Sequence, residues 1–360
     1  MNERNYLAAV YSFNYFGPVR TKLLISFFGS AKGIWNTSRK NLLEVGISER
    51  SVQKFVEYRR NFDLKRYFIR LKNLSIKFLT INDKDYPQNL KGLADAPLVL
   101  YYRGTIKKSD KNAVAIVGSR KITSYGREVT NKFATELASY GITVVSGLAF
   151  GVDVAAHKAC LEAGGRAIAV LASGLDLITP ISNSWLGEQI IKSNGALISE
   201  HPLGYKPQKS DFPERNRIIS GLSKAVLVVE GARKSGTLHT ASHAAEQGRQ
   251  VFAVPGQITS PMSEAPHFLI QNGAKLATST RDILNELDLQ LKTDYEEVEK
   301  VMPEGKEESV ILALLENEPL HTDEIIRLSG LGINIVSSKL TMMELKGVVK
   351  NLGSGVYKKV

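Results

Sequence analysis

Residues 142–157 read ITVVSGLAFGVDVAAH, and the reading of this stretch decides the fold class. Ile142 to Ser146 is a short β-branched run of the kind that forms a strand buried on both faces. Gly147 and Gly151 bracket a turn, and a helical stretch follows at once. Working outward, the unit recurs. Ala113–Val117, Ala167–Leu171, Ala196–Ser199, Ala225–Val229 and Val251–Val254 are further apolar runs with helical patterning between them. Buried strands alternating with helices predict a Rossmann-like, doubly wound α/β domain with a mostly parallel sheet, expected over residues 73–291. The run PLVLYY, from Pro97 to Tyr102, predicts one additional strand before that core.

Both flanks read differently. Residues 1–72 are helical in pattern, broken at Gly17-Pro18 and Gly29. Within them, NLLEVGISERSVQKFVEYR predicts helix, a tight turn at Gly46-Ile47, Ser48 as N-cap, and helix again. That resembles a helix-hairpin-helix or sterile-alpha-motif (SAM)-like unit, which serves either nucleic-acid backbone contact or plain packing. Residues 292–308 form an acidic linker. Residues 309–360 show helix, TDEIIRLSG, INIVSSKLTMMELKG and a strand pair about Gly353-Ser354-Gly355, the pattern of a winged helix. Its would-be recognition helix carries Lys339 and Lys346 with Glu344 between, and Asn334 is its one base-reading candidate. This favours a protein-interaction module over a sequence reader.

The chain has 360 residues and a formal net charge of +11. The excess is uneven: residues 282–308 carry a net −7, which leaves +18 on the remainder, and residues 1–72 alone carry +9. Such a field calls for a polyanionic partner, nucleic acid first and an acidic membrane surface second. Cys160 is the only cysteine, so neither a disulfide framework nor a cysteine-based metal site fits within one chain. With no signal-peptide pattern and no apolar run of spanning length, a cytoplasmic protein is expected.

In an open parallel sheet, ligands bind beyond the C-terminal ends of the strands. Here the segment after Val117 is GSRKIT, offering Gly118, Ser119 and Arg120. After Val145 comes SGLAFGVDVAAH, whose turn is expected to aim free N–H groups at a ligand. After Val229 comes EGARKSGTLHTA, with Arg233, Lys234 and Thr237. Residues 212–221, FPERNRIISG, set a ring and two arginines close together, a base platform beside an anion clamp. Several loops of this kind on one edge point to a phosphate-rich ligand. GxGxxG is absent after the first core strand and GxxxxGK[ST] is absent throughout, so neither dinucleotide binding nor P-loop hydrolysis is supported. No catalytic set emerges. His239 and His243 lie i, i+4 without an HExxH frame, and no GxSxG elbow occurs. No metal and no cofactor are expected.

Eight blocks, GSR…YG, SGLAFGVDVAAH, GLD…P, ISEHPLG, FPERNRIISGLS, VVEGARKSGTLHTA, GRQVFAVPG and LIQNGAKL, occur in the order found in the DNA-processing protein A (DprA, or Smf) family. The resemblance covers about residues 86–287. It implies a non-catalytic single-stranded DNA binder that protects incoming DNA during natural transformation, loads the recombinase RecA, and forms a homodimer. Carried over by motif, the DNA-binding residues would be Gly118, Ser119, Arg120, Ser146, Gly147, Lys209, Phe212, Arg215, Asn216 and Arg217. Of the two arginines, Arg215 is the favoured phosphate ligand, whereas Arg217 could equally pair internally with Glu230. Leu269, Ile270 and Leu276 are the candidates for self-association. The chain departs from the pattern at Thr179, where a tyrosine usually precedes the proline, at Ala265-Pro266-His267, and at Gly231.

Two other protein classes share parts of this pattern. A phosphoribohydrolase of the "lonely guy" type shares the fold class and a glycine-rich loop, but Thr240 stands where that loop's glutamate would sit. Release of base from a nucleoside monophosphate would revive it. A transcription factor acting through residues 309–360 would require sequence-specific duplex binding by that segment.

Overall fold

The computed structural model describes residues 1–287, 306–316, 318–345, 348–353 and 355–359. The chain divides into two compact units, Met1–Gln290 and Leu291–Val360.

The first unit is organised by a nine-stranded sheet: β1 (Lys77–Thr80), β2 (Val99–Gly104), β3 (Val114–Val117), β4 (Val144–Ser146), β5 (Ala167–Val170), β6 (Ala196–Ser199), β7 (Ala225–Val228), β8 (Gln250–Ala253) and β9 (Lys275–Leu276), in the order β1-β2-β6-β5-β4-β3-β7-β8-β9. From β6 to β9 every pairing is parallel, while β1 and β2 add an antiparallel edge. The expected additional strand at 97–102 is β2; β1 and β9 are strands that the apolar runs did not mark.

Alternation along the strands explains why both faces are covered. Val114, Ile116, Val144, Ala167, Leu197 and Leu227 point into one core with the helices Ser124–Ser139, Val152–Glu162 and Ser184–Lys192. Ala115, Val117, Val145, Ile168, Ile198 and Val226 point into the other, against the helices Asp211–Leu222 and Thr237–Glu246. The doubly wound expectation is met. Cys160 is fully buried among the small residues of its helix, and burial pushes its thiol up to about 12. The chain leaves β3 over one face and leaves β7 over the other, so the loops after β3 and β7 diverge. That divergence is the topological switch point, where a crevice opens.

Six helices precede β1, from Glu3–Tyr11 to Leu64–Asn73. The expected hairpin of helices is present: Arg39–Glu44, Gly46 at φ 85°, Ser48 accepting from the Ser51 N–H, then Glu49–Asn61. A boundary at 72/73 does not separate two bodies. The Tyr11 hydroxyl donates to Glu200 at 3.1 Å, Tyr67 donates to Tyr101 at 3.0 Å, and one hydrophobic core runs through helices and sheet.

The second unit holds the helices Lys306–Leu314, Thr322–Ser329 and Ile333–Leu345 and a three-stranded sheet of β10 (Leu320–His321), β12 (Val356–Lys359) and β11 (Val349–Gly353), in that order. It is the expected winged helix. The acidic linker lies outside the described residues up to 305, and its last three residues begin the first helix. Lys346 and Ser354 also lie outside them. Among the described residues, no helix is long and apolar enough to cross a membrane.

Candidate nucleic-acid interface

The switch-point crevice is a cleft of about 660 Å³. Loops after β3 and β7 and the start of the Asp211–Leu222 helix line it. Of the predicted residues it gathers Gly118, Ser119, Arg120, Lys209, Phe212, Arg215 and Asn216. Lys234, Thr237 and His239 complete the wall contributed by the loop after β7.

Arg120 is exposed and makes no ion pair among the described residues; its guanidinium lies 5.2 Å from the centroid of the half-buried Phe212 ring. Lys209 and Lys234 are exposed and equally free of carboxylate partners among those residues. Gly118 is required by close approach. A Cβ there would come 2.5 Å from Val152 Cγ2 and 3.1 Å from the Glu230 carbonyl oxygen. Ser119 Oγ accepts from the Lys121 N–H at 3.0 Å and shapes the turn that presents Arg120.

Arg215 is not the surface clamp expected. It is 5% exposed, and its Nη1 donates to the carbonyls of Gly147, at 2.6 Å, and Val170. Its Nε donates to Asn216 Oδ1 at 3.1 Å. Burial pushes its guanidinium down to about 10, with Asp153 opposing the shift, so it stays charged at neutral pH. Arg215 thus places a buried positive charge in the cleft floor while tying the helix to the ends of β4 and β5.

Arg217 faces the other way. It pairs with Glu200 at 2.5 Å, not with Glu230, and its Nε lies 3.6 Å from Asp95. Glu200 also accepts from Tyr11, so this ion pair joins the sheet to the first helix rather than lining the cleft. Glu230 instead accepts from the N–H of Thr123 at 3.0 Å and from its hydroxyl, at the start of the Ser124–Ser139 helix.

Ser146 and Gly147 are buried beneath the cleft rather than open to it. Ser146 Oγ donates to the Ile116 carbonyl at 2.7 Å, and Gly147 leaves room for the Arg215 guanidinium, which a Cβ would strike. Two of the N–H groups expected to be free in this turn are taken. Asp153 Oδ2 accepts from Gly147 at 3.1 Å and Ala149 at 3.2 Å. Burial raises the Asp153 carboxyl above its ordinary range, against the opposing pull of Arg215. His157, one turn on, is fully buried with neither ring nitrogen in a well-formed hydrogen bond; burial, with Arg215 nearby, pushes it down to about 3 against a minor opposing pull from the Ser146 backbone. The turn is therefore an internally neutralised brace. Asp153 is the only carboxylate among the residues lining the cleft.

Farther along the sheet, Leu269 packs partly buried against one core, Ile270 is half-buried, and Leu276 is 49% exposed on β9, the edge strand. Phe268, 47% exposed on the same helix as Leu269, was not singled out by the sequence. His239 and His243 share the helix Thr237–Glu246, His239 exposed and His243 3.6 Å from Glu246.

Fold and site together define a doubly wound α/β protein with a cationic switch-point cleft, built on an exposed arginine over an aromatic ring. The chain belongs to the DNA recombination-mediator protein A family, whose model matches residues 77–288, and a DprA winged helix domain model matches residues 299–355. Protein Smf of Synechocystis sp. is 36% identical over 373 residues, covering 92% of this chain and 93% of that protein. The X-ray structure of DNA processing protein A from Streptococcus pneumoniae superposes with a TM-score of 0.66 at 35% identity, covering 78% of this chain and 97% of that one. A solved structure of DNA processing protein A from Helicobacter pylori, described for its single-stranded DNA binding mode, gives a TM-score of 0.53 at 30% identity, covering 60% of this chain and 97% of that one.

Proposed function

We propose that the cleft holds single-stranded DNA without turning it over, and that the protein is a cytoplasmic recombination mediator that protects incoming DNA during natural transformation and passes it to the recombinase RecA. The observation that carries this reading is the Arg120–Phe212 pair, a cation without a carboxylate partner among the described residues lying on an aromatic face at the switch point. Single strands are held by cations along the backbone and by rings under the bases. Arg120, Lys209 and Lys234 supply the first, Phe212 the second, and Arg215 adds positive potential from below without reaching the surface. Asn216, whose Oδ1 is engaged by Arg215, retains its amide N–H groups for an acceptor on the ligand.

The cleft chemistry supports binding rather than catalysis. Its one carboxylate, Asp153, accepts two backbone N–H bonds and sits beside Arg215, so it is not poised as a general base. Thr240 is buried where a hydrolase of this fold class would need a glutamate. The relative from Helicobacter pylori is described as binding single-stranded DNA, which agrees with this reading. Self-association through the β9 edge, at Leu269, Ile270 and Leu276, would set two such clefts in one homodimer.

The test is binding of oligo-dT to the full chain across a salt titration, beside duplex of equal length. Single-strand preference with a log–log slope of about −0.7 per phosphate neutralised is expected. Equal affinity for duplex, or unchanged affinity in Arg120→Ala and Phe212→Ala alike, would remove the cleft from the account.

A further inference from the structure

A second cavity, of about 410 Å³, lies at the opposite ends of the strands, where the chain enters β3 and β7. Its floor is aliphatic: Ile168, Ile198 and Leu222, with Ile106 half-buried beside them. Around it stand Lys84, Lys107, Lys108 and Lys111, all exposed and none in an ion pair among the described residues. The nearest buried acid gives them no charge to meet. Asp110 is held by Arg166, with Nε–Oδ1 at 2.5 Å and Nη2–Oδ2 at 2.7 Å, and it also accepts from Thr143. Asp85 is the one exposed carboxylate on the rim, so the mouth keeps a clear positive excess.

We propose that this cavity docks an acidic peptide segment of a partner protein, one bulky apolar side chain entering the aliphatic floor while flanking carboxylates meet the four lysines. Its volume is at the lower end of the range for ligand sites, about 300–1,000 Å³. Nucleic acid fits the chemistry poorly. No arginine fork faces the mouth, and the one ring present, Tyr86, is 1% exposed with its hydroxyl donating to the Pro97 carbonyl at 2.6 Å. A base would find no face to stack on. The backbone N–H at the head of the short helical turn is also taken, since Lys107 N–H donates to Asp110 at 2.8 Å. What remains is an apolar socket ringed by flexible point charges, a rim suited to carboxylates in several geometries.

The proposal does not rest on the DNA reading, and its test separates the two. The probe is a fluorescent synthetic peptide of aspartates and glutamates around a central Leu-Phe, titrated into the full chain by anisotropy. Saturable binding is expected, about tenfold weaker in the Lys107→Glu/Lys108→Glu variant, whose reversed charges lie on the rim. Replacing the peptide's Leu-Phe by Ser-Ser should abolish binding, Ile106→Trp should block it, and excess oligo-dT should leave it intact. Equal binding of the Ser-Ser peptide would reduce the site to bulk charge and overturn the proposal. So would displacement by oligo-dT, or indifference to the lysine reversals. If Ile106→Trp lowers the melting temperature, the lysine variant and the peptide pair still decide the matter.

Discussion

Arg120 covers the ring of Phe212 at 5.2 Å, and both residues stand at the strand ends where the sheet's winding reverses. One side chain arrives from the loop after β3 and the other from the helix that leads into β7. A ligand seated there meets both halves of the domain. Phe212→Ala should weaken oligo-dT binding by about 1–3 kcal/mol, the usual worth of one stacked base. Arg120→Ala should weaken all sequences alike and reduce the magnitude of the salt slope, because a phosphate contact carries no base information. Fluorescence titrations at two salt concentrations read both effects. Loss of affinity with an unchanged slope in Arg120→Ala would mean that the arginine merely supports the ring.

Arg215 and Arg217 are two residues apart on one helix, yet they do different work. Removing Arg215 leaves the carbonyls of Gly147 and Val170 without their donor and Asp153 without its neighbouring charge. Arg215→Ala should therefore cost roughly 3 kcal/mol or more of stability, with DNA affinity falling as the turn loosens. Arg217→Ala leaves Glu200 buried and unpaired, for a similar loss of stability of about 3–5 kcal/mol. Its DNA affinity, measured where the protein is still folded, should match wild type. Chemical denaturation beside oligo-dT titration separates the two roles.

His157 gives the pH dependence a sign. Its pKa falls from the ordinary 6.5 to about 3 in the folded state, chiefly through burial. A depressed histidine lets the unfolded chain take up the proton first. The associated stability is therefore complete above about pH 6.5 and is lost as pH falls toward 3. By pH 5 the loss is about 2 kcal/mol, at 1.36 kcal/mol per unit. Because neither ring nitrogen makes a well-formed hydrogen bond, the Ser146 backbone giving only a minor opposing pull, His157→Leu should fold about as well at pH 7 and should flatten this acid limb. Denaturant midpoints at pH 7 and pH 5 test it. A wild-type limb as steep in the variant would place the acid sensitivity elsewhere.

The sheet was legible because its strands are buried on both faces and so read as continuous apolar runs, Val114–Val117 and Ala225–Val228 among them. β9 was not, since two residues carry no period, and Leu276 was noticed only for being apolar. In the site, Arg120 and Phe212 were readable from their place after a strand and at a helix start. The split between Arg215 and Arg217 was not. Helical spacing puts them on different sides, but only the fold shows that one side meets the ends of β4 and β5 and the other meets Glu200 and Tyr11. Lys234 joins the cleft from across the switch point, an adjacency that sequence distance conceals.

Leu276 stands 49% exposed on the edge strand, and Phe268, 47% exposed, lies on the helix that precedes it. An open strand edge with apolar side chains beside it is a template for pairing with another chain. Two copies meeting through this edge would bury both side chains. Leu276→Lys places a charge on each side of such an interface, facing its own copy across the symmetry axis, while costing the isolated fold little at an exposed position. Wild type should sediment as a dimer and the variant as a monomer, with oligo-dT affinity per cleft preserved and any gain from linking two clefts lost. Sedimentation velocity with short and long oligonucleotides makes both measurements. A variant that stays dimeric and binds long strands as wild type does would place self-association away from β9.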